Sequence, residues 1–241
     1  MPKPPRLQLE RDLAAAADPE RAANLAWFFK TGKGQYGEGD RFLGIRVPVQ
    51  RRIALRYRTL PLKDIDRLLA SRVHEHRFAA LEILVAQYER AGEEDRQEIV
   101  DFYLAHTSRI NNWDLVDGSA PYIIGVHLRT RPRDLPDQLA VSDNLWERRI
   151  SIVSTLALIK NGEIEDTFRI ARRLLADKHD LIHKAVGWAL RECGTVSRPA
   201  LLKFLAAEYA RMPRTALRYA IEHFSKDERK KILAGEFVGL S

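Results

Sequence analysis

The chain is poor in the residues from which many reactive centres are built. It has one cysteine, Cys193, and two methionines. A single thiol closes no disulfide framework, so a reducing, cytoplasmic setting is expected. No CxxC or HExxH pattern occurs and the seven histidines are scattered, which points away from a metal site. No GxSxG motif or Cys–His arrangement suggests a covalent nucleophile. No stretch approaches the roughly 18 apolar residues of a membrane span, and the opening MPKPPRLQLE lacks the apolar centre of a signal peptide. The expectation is a soluble cytoplasmic protein, associated with the nucleoid only if DNA is its partner, and with no membrane contact.

What is present is charge and helical periodicity. Forty Lys and Arg against 33 Asp and Glu give a net charge of +7. That excess suits a polyanion, and with no basic tail to concentrate it, the folded body must carry it. With 45% hydrophobic residues in 241, the chain is long enough for one large domain or two small ones. It reads as one domain over 1–241, with 1–17 set aside as a poorly ordered segment. Asp18-Pro19 caps and opens a helix to about Thr31, and Ser225 with Glu228 forms a capping box for the last one. Between them the spacing predicts helices near 48–58, 61–71, 74–91, 94–106, 111–125, 134–141, 145–161, 164–176, 180–193, 198–211 and 213–223.

These helices recur. Arg77 and Arg149 lie 72 residues apart, Trp113 falls midway, 36 from each, and Lys184 follows Arg149 by 35. Two helices per unit of that length predict an all-α, HEAT-like α-solenoid; an irregular helical bundle is the alternative. Corresponding positions in such repeats line up, so Trp113, Asp117, Arg149 and Trp188 are expected along one groove.

Four stretches carry chemistry. In NNWDLVD, Trp113, Val116, Asp117 and Ala120 share a helical face, which places a carboxylate on an apolar stripe. Asp114, in the first turn, has an ordinary explanation in the helix dipole; Asp117 does not, unless it pairs with Arg149. Pro121 lacks the N–H that would reach the Asp117 carbonyl, so the helix should bend or open there. In LIHKAVGWALRE, Ile182, Ala185, Val186, Ala189 and Leu190 form a buried stripe, while Lys184, Trp188 and Arg191 face away from it. That tryptophan either packs under a neighbouring repeat or offers a stacking surface between cations. In NLWERRISIV, Arg149 lies near the buried side of its helix and needs an anion, either a carboxylate such as Asp117 or a DNA phosphate. In FFKTGKGQYGEGDRFLGIRVP, five glycines break the helical pattern beside Lys30, Lys33, Arg41 and Arg46. With Tyr36 at its tip, this segment is either an ordinary turn or a loop that tracks a DNA backbone.

Taken together, NNWDLVD with its following proline, LWERR, KAVGWALRE and FLGIRVP resemble the AlkD-type DNA glycosylases of the DNA alkylation repair family, over about residues 18–225. The resemblance implies a HEAT-like superhelix with a basic concave DNA-binding face that releases cationic N3- and N7-alkylated purines from duplex DNA without strand cleavage; no cofactor and a monomer are expected. It implies that Asp117 is the catalytic carboxylate, that Trp113, Trp188 and Phe28 lie beside the lesion, and that Arg149 contacts phosphate. Arg148, Lys184, Arg191, Arg46, Lys33 and Tyr36 join it as DNA-binding candidates. The best-known branch has tyrosine where Phe28 stands and glutamine where Arg46 stands, and it lacks the glycine-rich insertion. Two other classes stay open: a DNA-binding relative without activity, and a HEAT-type protein-interaction scaffold.

Overall fold

Segments of helical spacing become helices throughout residues 5–237, which with residue 239 are those described by the computed structural model. The architecture is all-helical; among the described residues the only β pairing noted is an isolated bridge between Arg41 and Val73. The chain divides into two compact units, Met1–Ser119 and Ala120–Ser241. No helix among the described residues is long and apolar enough to cross a membrane.

The first unit runs α1 (Pro5–Ala15), α2 (Pro19–Phe28), α3 (Val47–Leu55), α4 (Leu62–Leu69), α5 (His74–Arg90), α6 (Glu93–Ala105) and α7 (Trp113–Asp117). The 17-residue α5 is its spine, packing on α1, α3, α4, α6 and α7. In α4, Ile65, Leu68 and Leu69 follow i, i+3, i+4 and are buried against it. The N-terminal segment corrects the sequence reading, since residues 5–15 of the stretch set aside as poorly ordered form α1. Leu9 and Leu13, one turn apart, are fully buried. Asp12 also accepts hydrogen bonds from Tyr57 Oη at 2.7 Å and Arg56 Nη2 at 2.8 Å. The prolines that obscured this helix precede or occupy its first position, where a missing N–H costs nothing. Residues 1–4 lie outside the described residues.

The second unit runs α8 (Leu135–Ala140), α9 (Leu145–Ser154), α10 (Leu156–Ile159), α11 (Glu165–Leu174), α12 (Asp180–Val196), α13 (Arg198–Glu208), α14 (Arg214–Ala220) and α15 (Lys226–Ala234). Here α9 packs on α8, α11 and α12, and α12 in turn packs on α11, α13 and α14. Each long helix thus meets its sequence neighbours and the second helix along, which is the pairing of a helical repeat. The stripe Ile182, Ala185, Val186, Ala189 and Leu190 is buried as the spacing predicts, and Cys193 is buried with it. A Cβ on Gly187 would lie 2.5 Å from the Ala216 carbonyl oxygen, so only glycine lets α12 and α14 approach this closely.

Two predicted helices are interrupted. The 111–125 segment is α7 followed by a π turn over Pro121–Gly125, where Gly125 N donates to the Ala120 carbonyl at 2.9 Å. Proline at 121 has no N–H for the Asp117 carbonyl, and past it the chain widens to an i to i+5 hydrogen bond. The 145–161 segment breaks at Thr155, whose Oγ1 turns back to the Ile152 carbonyl at 2.7 Å.

Candidate functional site

In the first unit the site is built on α7, a helix of five residues. Asn112, fully buried, caps it by accepting from Trp113 N at 2.8 Å. Trp113 is partly exposed. One side of its ring lies on Phe29, at 5.2 Å between centroids and 25° between planes, and the edge of Phe28 meets it at 6.0 Å and 74°. Phe29 is buried, whereas Phe28 is 54% exposed. Asp117 ends the helix one turn beyond Trp113 and is partly exposed. Its charge reaches Tyr103, whose phenol is pushed far up, first by complete burial and further by Asp117, against the opposing hydrogen bond with Ser119. Trp113, Asp117 and Phe28 therefore belong to one unit, and Trp113 and Phe28 are in contact.

Behind Trp113 lies a group of side chains that the sequence patterns did not connect. His74, at the start of α5, is buried, and its Nε2 lies 2.7 Å from Asp114 Oδ2. Its Nδ1 lies 3.6 Å from Asp40, which accepts from Arg77 Nη2 at 2.5 Å. Arg77 also donates to the Ser71 carbonyl at 2.8 Å. Burial alone would drive the His74 imidazole toward neutrality. The charge and hydrogen bond of Asp114, with help from Asp40 and against Arg77, outweigh it and raise the pKa to about 9. The ring is stacked by Phe42 at 4.6 Å and Phe29 at 5.3 Å. Asp114 thus does more than favour a helix dipole, which corrects the ordinary role assigned to it. The contact spans 40 residues, and no local spacing signals it.

The glycine-rich loop between α2 and α3 is ordered by the N-terminus of α5. Glu75, fully buried, accepts from Leu43 N at 2.9 Å, Gly44 N at 2.8 Å and Ile45 N at 3.4 Å. Gly44 has φ +83, and a Cβ there would lie 2.1 Å from the Asp18 carbonyl oxygen, so the glycine of FLGIRVP is required twice over. Toward the tip, Gly34 N donates to Glu38 Oε2 at 2.7 Å and Gly37 N to the Lys30 carbonyl at 3.1 Å. Lys33 is exposed, Tyr36 is partly exposed, and Arg46 stands exposed at the N-cap of α3.

The second unit holds the remaining candidates. Arg149 is buried, at 5% exposure, and its Nη1 donates to the Leu181 carbonyl at 2.5 Å. Arg148 braces the loop before α9: Nε donates to Asp177 at 2.6 Å, and Nη1 to the Ser142 and Asp143 carbonyls at 2.9 and 3.0 Å. Arg191 pairs with Glu192 at 2.9 Å and with Glu222, and Lys184 pairs with Asp180 at 2.8 Å. Trp188 is partly exposed on α12, off the buried stripe. The cations expected to face DNA thus also take part in bonds within the unit.

Trp27 is 84% exposed, the largest exposure of a large apolar side chain among the described residues, and no pattern in the sequence singled it out. An i, i+4 count over the short α2 gives it no distinctive face.

None of the curated proteins matches the chain. Among solved structures it is similar to one titled "Predicted DNA alkylation repair enzyme from Enterococcus faecalis", with a TM-score of 0.67 at 18% identity; the match covers 87% of this chain and 97% of that one. At that identity the likeness speaks to the fold, which is the same helical arrangement. The model of the family described as "DNA alkylation repair enzyme" matches residues 9–224, from within α1 to the turn between α14 and α15, and the chain belongs to that family.

Proposed function

We propose that the protein is a monofunctional DNA glycosylase that hydrolyses the N-glycosidic bond of cationic N3- and N7-alkylated purines in duplex DNA. The observation that carries this reading is the pairing on α7 of Trp113, braced by Phe29, with the partly exposed carboxylate of Asp117 one turn away. Alkylation at N3 or N7 makes the purine a cation and a good leaving group. As the bond to it stretches, positive charge passes to the deoxyribose as an oxocarbenium ion. A fixed carboxylate stabilises that charge more than it stabilises the ground state and orients the attacking water. The apolar surroundings of Asp117, with Leu115, Val116 and Ala120 buried, strengthen the interaction by lowering the local dielectric.

In this reading Trp113 and Phe28 offer their rings to the cationic nucleoside, and Trp188 is a separate base-binding candidate within the second unit. Such contacts are worth roughly 0.5–2 kcal/mol each, enough to select and position but not to supply most of the rate. Arg149, Lys184 and Arg191, with Arg46, Lys33 and Tyr36 of the first unit, serve the phosphate backbone; Arg148, committed to Asp177 and two carbonyls, supports the segment that carries Arg149. No lysine Schiff base is needed, so strand cleavage does not accompany base release.

Asp117→Asn keeps the shape and removes the charge. Under single-turnover conditions with saturating protein, release of 7-methylguanine or 3-methyladenine should slow at least about a hundredfold, the scale of one preorganised electrostatic group, while binding survives. Equal rates would remove Asp117 from the chemistry. No release by the wild type on either lesion would make the protein a DNA-binding relative without this activity.

A further inference from the structure

The buried histidine behind α7 has no part in the reaction just described, yet it is tied to the short helix that carries both residues that do. We propose that His74, clasped between Asp114 and Asp40, is a positioning residue that fixes the turn carrying Trp113 and Asp117; this rests on the glycosylase reading of those two residues. The tie runs by two routes. One is the 2.7 Å bond from His74 Nε2 to Asp114, the residue next to Trp113. The other is the stack in which Phe29 lies on His74 at 5.3 Å and on Trp113 at 5.2 Å.

A helix of five residues needs such ties. Nucleating a single turn fixes several dihedral angles for very few hydrogen bonds, so α7 does not hold its own geometry. Apolar packing against α5 supplies cohesion but is non-directional. The His74–Asp114 bond is directional, and Arg77, bound to Asp40 and to the Ser71 carbonyl, holds the far side of the clasp in place. A leucine or phenylalanine at position 74 would fill the space between Phe29 and Phe42 at a lower desolvation cost. A buried charge that loses more to desolvation than a hydrocarbon would is accounted for by the arrangement it specifies.

The groups that face the imidazole are Asp114 from α7, Asp40 from the glycine-rich loop and Arg77 from its own helix. The neighbouring Glu75 directs its carboxylate to the amides of Leu43, Gly44 and Ile45. Protonated, His74 donates to Asp114 and turns its other N–H toward Asp40, 3.6 Å away; losing the proton leaves one carboxylate facing a ring nitrogen with no hydrogen to give. Positioning by His74 is therefore complete at neutral pH and fails as pH rises through about 9.

The test combines rate and structure. Single-turnover release of 7-methylguanine from methylated duplex is followed from pH 6 to 10 for wild type and Asp114→Asn. The wild type should lose at least about tenfold in rate along an alkaline limb centred near 9. In Asp114→Asn, where the main partner's charge is gone, that limb should move down by at least one pH unit. A limb at the same pH in both proteins overturns the proposal. If the variant does not fold, the wild type decides by NMR: the His74 imidazole and the Trp113 indole N–H should titrate together, and an indole unmoved while His74 titrates overturns it. If the wild type releases no base at any pH, the glycosylase reading fails by itself, and the NMR titration still tells whether His74 positions Trp113.

Discussion

Asp114 and Asp117 are three residues apart on one short helix and have opposite surroundings. Asp114 turns inward to a buried histidine, and Asp117 stays partly exposed. The stripe holding Trp113 and Asp117 was legible because i and i+4 on a helix share a face whatever the rest of the fold does. The inward turn of Asp114 was not, because it depends on where α5 begins and on a loop that delivers Asp40. His74 has a stability consequence of its own. Its folded pKa of about 9 lies above the unfolded value of 6.5, so its contribution is complete below pH 6.5 and is lost as pH rises through 9. That contribution is on the order of 3 kcal/mol. Chemical denaturation at pH 6 and at pH 10 should differ by about that amount in the wild type and by much less in His74→Phe. Arg149 also has both a local and a proposed role. Arg149→Ala takes a donor from the Leu181 carbonyl at the start of α12, and the protein should lose about 2–4 kcal/mol of stability. If the phosphate role holds, the variant also binds damaged and undamaged duplex more weakly by similar factors. An effect on the chemical step alone removes that role.

At the scale of elements, the helices predicted over 61–71, 74–91 and 94–106 agree to within a residue or two with α4, α5 and α6 because each carries a regular apolar stripe and a local stop. The failures fall where tertiary contacts decide. The first helix looked like a tail until Leu9 and Leu13 found α3 and α5, and Thr155 splits a segment whose apolar character is continuous. The glycine-rich loop was read as a break, which it is, but its attachment to Glu75 and Arg77 lies beyond local pattern. That attachment begins at Asp40. Residues 32–39 are closed largely by bonds among themselves, such as Gly32 N to Gln35 and Gly34 N to Glu38. Replacing 32–39 with a short Gly-Ser link should therefore leave thermal stability nearly unchanged. Should Lys33 and Tyr36 touch DNA as proposed, duplex affinity falls with it. Unchanged affinity and turnover make the segment a connector.

For the whole molecule, charge and periodicity are the most legible properties because both are sums over many residues. Helical class and repeat pairing follow from patterns spaced in the middle thirties. The division after Ser119 does not, since no glycine- or serine-rich linker marks it; the chain passes from α7 to the π turn at Pro121 with little change in composition. The net charge of +7 leads to a measurement that separates a nucleic-acid protein from a protein-binding scaffold. Duplex affinity should fall linearly in log–log form with salt, with a slope near 0.9 per phosphate neutralised. Raising salt from about 50 to 200 mM should cost at least tenfold for a protein that neutralises two or more phosphates, with little dependence on undamaged sequence. An affinity flat across that range favours the scaffold.

The lone cysteine has a practical consequence. Cys193 is fully buried in the α12 stripe, and burial pushes its thiol up to about 12, with Thr167 only partly opposing. Maleimides and disulfide reagents need a reachable thiolate, so the native protein is silent toward them without any cysteine being removed. A cysteine placed at the exposed position of Lys33 would be the one thiol that reacts. A fluorophore, nitroxide or crosslinker attached there would report from the loop proposed to meet the DNA, while Cys193, reactive only after unfolding, would count the molecules that had lost their fold.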